Sequence, residues 1–369
     1  ERVSIEEALN RILAQDVHSS IDMPPFPKSA MDGYAIRSND PSRRFRVVEV
    51  IPAGHVPSKR IGRGQCAKIM TGGMLPEGAD RVVKREVTVE AEGFMEIIGE
   101  DKKRNVCFQG EDLKVGDLVL SRGCRLRPQE IAVAASMGLA EIQVFRRPEV
   151  GIMTTGSEII PPGRSLKKGQ IYDSNMFSLS AQVLEAGAVV KRRESAVDEP
   201  REIRRSLERL LDTCDVVLVS GGVSMGDYDY VPSTLREIGV TLHFEKIAIK
   251  PGKPTVFGTR DGRFVFGVPG NPVSTFVIFE LFIKPFLFRM MGHDFRPVLI
   301  PGTLAREILR RSVERSAYYP VVYEKGRVHP LPYHGSAHIH ALTRANGLIS
   351  LARGQKKIPA ESLVHVRQI

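Results

Sequence analysis

The chain has 369 residues, too many for one ordinary hydrophobic core, so its length predicts roughly two to four domains. A hydrophobic content of 42% and a charged content of 26% are ordinary for a folded globular protein. No apolar run approaches the ~20 residues that a membrane span needs, so no membrane partner is expected. The first residues, Glu1-Arg2-Val3-Ser4, have no signal-peptide pattern.

The net charge of +10 at pH 7 favours an anionic partner. Because the basic residues are dispersed and no nucleic-acid module is recognisable, we expect a phosphorylated small molecule rather than nucleic acid. The cysteine spacing matches neither a redox pair nor a zinc pattern, which predicts free structural thiols and a cytoplasmic location. These cysteines are Cys66, Cys107, Cys124 and Cys214.

The first part of the chain is predicted to be irregular and rich in short strands. Residues 4–9 have a capping-box pattern that predicts a helix, and the proline-rich residues 23–27 predict an extended loop. Short β-type runs separated by glycines between residues 45 and 119 predict a small β domain. Residues 127–138, with a proline in the first turn and a closing glycine, predict a second helix.

After residue 148 strands and helices alternate, which predicts a doubly wound α/β sheet with helices on both faces. The predicted strands are 149–155, 188–193, 215–220, 241–249 and 264–268, and the predicted helices are 175–185, 199–211 and 273–290. The tail from residue 296 carries short β-like runs at 319–323, 347–351 and 363–366, which predict a small β domain.

Ligands of open α/β sheets bind outside the carboxyl ends of the strands, so the loops after these strands are the candidate sites. The first loop, residues 154–158, offers hydroxyls, a glycine and a carboxylate, or is only a capped turn. The second, residues 220–229, has a Gly-Gly pair that could bind an anion. Its carboxylates Asp227 and Asp229 could bind a divalent cation, unless the segment is a plain loop.

The two remaining loops are basic and proline-rich. Lys246, Lys250 and Lys253 are predicted to meet near one strand end, the first two on one strand face, and to bind an oxyanion. The alternative is a solvated sheet edge. Residues 269–272 predict a rigid turn whose N–H groups can face a ligand, or a structural turn.

Other short motifs are weak signals alone. They include residues 29–35 around Asp32, residues 69–73 around Thr71, and residues 110–112, which end at Asp112. The chain lacks a dinucleotide fingerprint and a P-loop. The histidines of the tail, His334, His338 and His340, are interpreted as surface residues.

In this order the motifs resemble those of the MoeA/gephyrin E-domain family over essentially the whole chain. They are Ser-Ala-Met-Asp-Gly-Tyr-Ala (29–35), Met-Thr-Gly (70–72), Gly-Glu-Asp (110–112), Thr-Gly-Ser-Glu (155–158), Tyr-Asp-Ser-Asn (172–175), Ser-Gly-Gly-Val-Ser-Met-Gly-Asp-Tyr-Asp (220–229), Ile-Lys-Pro-Gly-Lys-Pro (249–254) and Pro-Gly-Asn-Pro-Val-Ser (269–274).

The resemblance implies a multi-domain α/β fold with a central doubly wound, MogA-like molybdopterin-binding domain. It also implies a β-rich second domain and a small β-barrel-like C-terminal domain. The expected domains are 1–44 with 118–147, then 45–117, 148–293 and 294–369. An elongated homodimer is expected, in which the third domain of one subunit faces the second domain of the other.

The activity implied is that of a molybdenumtransferase, which inserts molybdate into adenylylated molybdopterin with release of AMP and with Mg²⁺ as cofactor. Two alternatives remain, a molybdopterin adenylyltransferase and a carrier or scaffold without turnover. The adenylyltransferase is also a possible partner. The residues identify no general base and do not discriminate molybdate from tungstate.

By position, the resemblance assigns three groups of site residues. The expected catalytic residues are Asp32, Thr71, Asp112, Glu158, Asp198 and Asp229. The expected substrate and molybdate ligands are Lys246, Lys250, Lys253, Thr155, Gly156, Ser157, Ser220, Gly221, Gly222, Ser224, Pro269, Gly270, Asn271 and Pro272. The expected metal ligands are Asp229, Glu158 and Asp198.

Overall fold

The computed structural model describes residues 1–224, 226, 229–332 and 338–369, and its chain divides into two compact units. One comprises Glu1, Asn10–Ala14 and Gln143–Ile369, and the other comprises Arg2–Leu9 and Gln15–Ile142. The finer division into four domains stays a prediction. Among the described residues, none of the helices has the length and apolar character needed to cross a membrane.

The unit that ends at Ile142 consists mainly of short strands, as expected from its glycine-separated β-type runs. Its elements are β1 (Arg2–Ser4), β2 (Val17–His18), β3 (Lys28–Ser29), β4 (Gly33–Ile36), β5 (Arg44–Ile51), β6 (Gln65–Ile69), β7 (Arg81–Lys84), β8 (Thr88–Ala91), β9 (Phe94–Ile97), β10 (Val106–Cys107), β11 (Leu118–Leu120), α1 (Pro128–Ser136) and β12 (Glu141–Gln143). Six strands form one sheet in the order β7-β4-β6-β5-β9-β8. The predicted β-rich region is confirmed.

The two predicted helices of this unit have different outcomes. The predicted helix at 4–9 is wrong in type and length, since only Ile5–Glu7 form a 3-10 helix and the Ser4 side chain makes no capping hydrogen bond. The predicted helix at 127–138 is confirmed as α1, which begins at Pro128. Gly138 follows it with a φ of +77°, a value that glycine adopts without steric cost.

The other unit contains the predicted α/β sheet. Its elements up to residue 290 are β13 (Glu149–Thr155), β14 (Ile159–Ile160), β15 (Ile171–Tyr172), α2 (Ser174–Glu185), β16 (Val189–Ala196), α3 (Pro200–Thr213), β17 (Val216–Ser220), α4 (Val231–Glu237), β18 (Thr241–Phe244), β19 (Ile249–Lys250), β20 (Val256–Arg260), β21 (Arg263–Val268), α5 (Pro272–Ile278), a π-helix (Phe279–Ile283) and α6 (Lys284–Met290). The sheet order is β16-β13-β17-β21-β20-β18. Strands β16, β13, β17 and β21 are parallel, and β20 and β18 are antiparallel to their neighbours.

Helices cover both faces of this sheet, so the predicted doubly wound domain is confirmed. On one face Ile152 and Leu218 pack with residues of α2, α5 and α6. On the other face Met153 and Val217 pack with residues of α3 and α4. Strand β17 is buried along its whole length because both of its faces are covered, which explains its uninterrupted apolar sequence.

The predicted strand at 241–249 is wrong as a single element. The chain leaves the α/β sheet after Phe244, and Ile249–Lys250 form β19 in a different sheet. Lys246 lies between these two strands, so Lys246 and Lys250 do not share a strand face. The sequence predicted strand correctly at the two ends of this segment, but it could not show that the chain leaves one sheet and joins another between them.

The C-terminal part forms a small closed barrel, as predicted. Its elements are β22 (Leu299–Leu304), β23 (Ile308–Leu309), β24 (Ser316–Glu324), β25 (Arg327–Pro330), a 3-10 helix (Ile339–Arg344), β26 (Gly347–Leu351), β27 (Lys357–Ile358) and β28 (Leu363–Gln368). The sheet runs β24-β25-β22-β28-β26, and β26 pairs again with β24, which closes the ring. Its interior contains Leu304, Val321, Val328, Ile349 and Val366.

Asp215, at the start of β17, is the charged anchor of the α/β sheet. Its buried carboxylate accepts hydrogen bonds from Arg146 Nη1 at 2.6 Å, from Arg263 Nη1 at 2.8 Å and from the Glu149 backbone N–H at 2.9 Å. The hydrogen bonds from Arg146 hold the pKa of Asp215 below its ordinary value. A carboxylate with a lowered pKa stabilises the fold above its unfolded pKa and loses that contribution as pH falls through the folded value.

We expect Asp215→Asn to destabilise the protein by about 2 kcal/mol at pH 7, since two arginines lose a buried charged partner. The difference from the wild type should stay constant above about pH 5 and shrink below about pH 4, where the unfolded carboxylate takes up its proton. Urea unfolding midpoints across this pH range measure it. Asp261→Asn, at an exposed carboxylate, is the control, and an equal effect of both substitutions would contradict the assignment.

Candidate functional site

Three parallel strands bring the candidate loops to one edge of the α/β sheet. Thr154 of β13 lies beside Ser220 of β17, and Ser220 lies beside Val268 of β21. Because these residues are at the carboxyl ends of their strands, the segments that follow start at the same level of the sheet. This is the edge at which open α/β sheets bind ligands.

The three loops surround a cleft of about 600 Å³. It brings together ten of the site residues predicted from the sequence: Thr155, Gly156, Glu158, Asp198, Gly221, Gly222, Asp229, Gly270, Asn271 and Pro272. Tyr172, Asp173, Ser174 and Asn175, at the start of α2, complete its polar lining. The cleft has the size and the mixture of polar groups typical of a small-molecule site.

Two glycines allow the second loop to approach the first. Gly221 has a φ of +95°, and a Cβ on it would lie 2.6 Å from the carbonyl oxygen of Thr155. Gly222 has a φ of +63°, and a Cβ there would lie 2.9 Å from Val231 Cγ2. Any larger residue at either position would push the loop away from the cleft wall. The Gly-Gly pair therefore fixes the backbone of this wall.

Asn175 joins the second and third loops. Its amide Nδ2 donates to Ser220 Oγ at 2.9 Å and to the carbonyl oxygen of Gly270 at 2.7 Å. Ser220 is almost fully buried and its hydroxyl donates to the Pro269 carbonyl at 3.3 Å, so Ser220 braces the loops from below. The sequence analysis quoted Asn175 within a motif but gave it no role, and that motif was the available signal.

Two polar atoms in this cleft have no protein partner among the described residues. They are the hydroxyl of Thr155 and the amide oxygen Oδ1 of Asn175, and both side chains are more than nine-tenths buried. Buried polar atoms without partners are rare in folded proteins, since each costs free energy. Their presence beside the Gly-Gly pair indicates a surface suited to a hydrogen-bonding ligand.

The predicted metal ligands Glu158, Asp198 and Asp229 all line the cleft. Asp198 accepts from the Ser157 N–H at 3.1 Å, and Asp229 accepts from the Gly226 N–H at 2.7 Å. Among the described residues, no three side chains of metal-ligating type come close enough to hold an ion. Asp227, the other carboxylate of the second loop, lies outside the described residues, as does His334 of the tail.

The predicted lysines line two neighbouring cavities. Lys250 and Lys253 line a cavity of about 720 Å³, together with Pro269 and Asn271. Asn271 also lines the polar cleft, so the two spaces share a wall. Lys246 and Ser224 line a further cavity of about 610 Å³, which Lys253 also lines. The structure thus brings the three lysines to adjoining spaces through Lys253, although not along one strand face.

Three arginines of the C-terminal part complete the 720 Å³ cavity, and the sequence analysis missed all of them. They are Arg310, Arg311 and Arg315. The basic run Arg310-Arg311 was the only local signal for them. Their place beside Lys250 depends on β19, which pairs with β24 in parallel, a contact between residues more than 60 positions apart.

Asp32, Thr71 and Asp112 belong to the other unit. Asp32 Oδ1 accepts from both the N–H and the hydroxyl of Thr71, each at 2.7 Å. The backbone hydrogen bond from Thr71 lowers the pKa of Asp32, so this carboxylate is ionised at neutral pH. Asp112 is exposed, and its backbone N–H donates to the carbonyl oxygen of Met23 at 3.0 Å. The structure therefore pairs Asp32 with Thr71. Asp112 takes no part in the hydrogen bonds between these two residues.

Family models match three parts of this chain. Residues 1–138 match the MoeA N-terminal region (domain I and II), residues 151–289 a probable molybdopterin binding domain, and residues 304–369 the MoeA C-terminal region (domain IV). These matches agree with the resemblance found in the sequence motifs.

Curated proteins and solved structures agree with the family models. A molybdopterin molybdenumtransferase of Staphylococcus aureus is 33% identical over 99% of this chain and 90% of its own length. One of Staphylococcus epidermidis is 34% identical with the same coverage. A molybdopterin biosynthesis MoeA protein from Pyrococcus horikoshii has a TM-score of 0.88 at 30% identity, over 100% of this chain and 94% of that one.

Two adjacent threonines test whether the cleft is built for a ligand. Thr154 Oγ1 donates to Asp173 Oδ2 at 2.6 Å, whereas the Thr155 hydroxyl has no described partner. We expect Thr154→Val to destabilise the protein by about 2 kcal/mol and Thr155→Val to stabilise it by up to about 1 kcal/mol. Thermal unfolding without ligand measures both. Destabilisation of equal size by both substitutions would show that the Thr155 hydroxyl has a structural partner.

Proposed function

The chain belongs to the MoeA family of molybdopterin molybdenumtransferases, and we propose that it transfers molybdenum from molybdate to adenylylated molybdopterin and releases AMP. The observation that carries the proposal is the wall at Asn271, which a polar cleft shares with a cavity whose charged lining residues, among those described, are all cationic. A reaction between a pterin and an oxyanion requires two such sites in contact. The four free cysteines fit a reducing cytoplasm.

The polar cleft is proposed to bind the adenylylated molybdopterin. The backbone around Gly221 and Gly222 lies open to phosphate oxygens, as in other glycine-rich anion sites. The Thr155 hydroxyl and the Asn175 amide oxygen lie behind this wall without described partners, so a polar ring that reached them on binding would gain two hydrogen bonds. The strand ends and the Asn175 bridge hold the rest of this wall in place before the ligand binds.

The cationic cavity is proposed to bind molybdate. Its lining includes Lys250, Lys253, Arg311 and Arg315 and contains no acidic residue among the described positions. Charge-assisted hydrogen bonds to a tetrahedral dianion are the interaction that such a set makes best. In the transfer, the two dithiolene thiols replace two oxygens of molybdate, which leave with the thiol protons as hydroxide, and molybdenum keeps its oxidation state. A water or hydroxide attacks the pyrophosphate, whose P–O bond to the adenylate breaks, and AMP leaves.

The carboxylates of the cleft suit a Mg²⁺ ion that keeps several water ligands better than one coordinated by protein atoms alone. Magnesium is commonly held by one or two carboxylates together with substrate phosphates, and Glu158, Asp198 and Asp229 all line the space where those phosphates would lie. When bound, the ion would neutralise charge on the pyrophosphate. The homodimer, a contact with the adenylyltransferase, and roles for Asp32, Thr71 and Asp112 in this reaction belong to the same proposal.

The first test is AMP release from adenylylated molybdopterin with and without molybdate. Molybdate-dependent release, with molybdenum retained on the pterin, supports the transferase. Tight binding without release in either condition contradicts the proposal and favours a carrier. Formation of the adenylylated substrate from ATP and molybdopterin would instead identify an adenylyltransferase.

Asp229→Asn should lower the rate of AMP release at least about 100-fold. This is the order of the loss in rate when one group that stabilises the transition state is removed. An asparagine oxygen can still accept from the Gly226 N–H, so the loop should keep its backbone. Thermal stability should stay within about 2 °C of the wild type. Asp261→Asn is the control, and turnover of Asp229→Asn at the wild-type rate would remove this residue from the mechanism.

Arg315→Gln should raise the KM for molybdate about 10-fold or more, the effect of one lost charge-assisted hydrogen bond. The affinity for adenylylated molybdopterin should change by less than about threefold, because Arg315 lines the cationic cavity and does not line the polar cleft. Steady-state AMP release at varied molybdate measures the first quantity and equilibrium binding the second. If the substitution weakened the binding of both ligands equally, Arg315 would not belong to an oxyanion site separate from the polar cleft.

A further inference from the structure

Arg310 is a buried arginine without an acidic partner. Its side chain is 6% exposed, and its guanidinium donates to three backbone carbonyls: Nε to Gln355 at 2.6 Å, Nη1 to Arg315 at 2.5 Å and Nη2 to Ala352 at 2.5 Å. Among the residues that the structure describes, no carboxylate lies within 4 Å of it. Removing a guanidinium from water costs free energy, which carbonyl dipoles offset without cancelling the charge.

The three carbonyls belong to two segments, one of which lines the cationic cavity. The loop between β23 and β24 contains Arg311 and ends at Arg315, and the opposite segment includes Ala352 and Gln355. Backbone hydrogen bonds also cross between these segments, from Gly354 N–H to Val313 and from Arg310 N–H to Lys356. Arg310 therefore lies inside the loop and holds its end in place.

The held end of the loop is also the point at which the loop meets the lysine segment. Ser316 N–H donates to Ala248 at 2.9 Å, and Arg315 Nη1 donates to the Ile249 carbonyl at 3.3 Å. Ile249 and Lys250 form β19, which pairs with Ser316 and Ala317. A shift of the Arg315 backbone would therefore displace both Arg315 and Lys250.

The charge of Arg310 adds to a cavity that has no counter-charge. Its five cations, Lys250, Lys253, Arg310, Arg311 and Arg315, take part in no ion pair within 4 Å among the described residues, and no described lining residue is acidic. Four of these side chains can reach a ligand or water. Arg310 is 6% exposed and donates from all three of its guanidinium nitrogens to backbone carbonyls, so we expect it to act on the cavity through its charge and through the loop.

We propose that Arg310 is a positioning residue for the oxyanion site: it fixes the Arg315 end of the loop and raises the positive potential of the cavity without touching the anion. The proposal rests on the proposed function for the identity of the anion as molybdate. A residue that only braced the barrel would not need a charge, since a buried cation without a partner is costly to stability.

The test compares Arg310→Lys, which keeps the charge and loses the fork of donors, with Arg310→Met, which loses both. Molybdate binding to the full chain is measured by equilibrium dialysis, and AMP release at varied molybdate gives KM and kcat. We expect Arg310→Lys to weaken molybdate binding and raise its KM about 10-fold, and Arg310→Met about 50-fold, the range of lost charge-assisted interactions. The kcat should fall less than about threefold.

Arg327→Met is the matched control. Arg327 lies in the same barrel and pairs with exposed Glu361 through two hydrogen bonds, at 2.7 and 2.8 Å. It should leave the KM for molybdate unchanged. If Arg310→Met does not fold, Arg310→Lys alone decides the matter. A lower melting temperature and a lower kcat with an unchanged KM for molybdate would make Arg310 a brace only and overturn the proposal.

The outcomes separate this inference from the proposed function. Molybdate binding that depends on Arg310, without any AMP release by the wild type, contradicts the transferase and leaves the oxyanion site standing. Molybdate-dependent AMP release by the wild type, with the wild-type affinity for molybdate in both Arg310 variants, overturns the inference and leaves the transferase standing.

Discussion

The register of three parallel strands is the constraint on which the candidate site depends. Backbone hydrogen bonds align Thr154, Ser220 and Val268 across β13, β17 and β21, so three loops distant in sequence begin side by side. The glycines at 221 and 222 then let two of these loops touch, and the Asn175 amide joins the second loop to the third. A slip of one residue in any pair of strands would separate the groups that line the cleft.

The site costs stability, and the remainder of the unit offsets this cost. Two buried polar atoms without described partners and five cations without described counter-charges are each unfavourable in the absence of a ligand. Their unfavourable free energy is offset by the rest of the sheet, whose two faces are covered by separate apolar clusters and whose opposite end is stabilised by Asp215. Buried polar atoms and cations without described partners thus lie together at one edge of a well-packed core.

The sequence predicts most of the elements because their signals are local. The apolar run of β17, the proline at the start of α1 and the glycine after it each mark an element within a few residues. The helix predicted at 4–9 failed because a capping pattern without tertiary packing does not sustain a helix of this length. The residues of the polar cleft were predicted because their loops combine glycines with carboxylates, a composition that a plain turn does not need.

The predictions failed where a partner far along the chain decides the structure. The strand predicted at 241–249 breaks because Ile249 and Lys250 pair with β24 of the barrel, and nothing in their own sequence indicates that partner. For the same reason the arginines at 310, 311 and 315 could not be placed beside the lysines. The bridging role of Asn175 likewise depends on Gly270, 95 positions away.

The strand exchange at β19 divides the two binding tasks between different parts of the chain. Every described residue lining the polar cleft lies between residues 155 and 272, within the α/β part, whereas the cationic cavity takes all its arginines from the barrel. On the proposed function, an α/β domain of this kind standing alone would contain every described residue of the pterin cleft and would lack the arginines of the oxyanion cavity. On the same proposal, a barrel joined through two residues of shared strand, Ile249 and Lys250, supplies the cations for a second substrate while the first substrate's described contacts all stay within the α/β part.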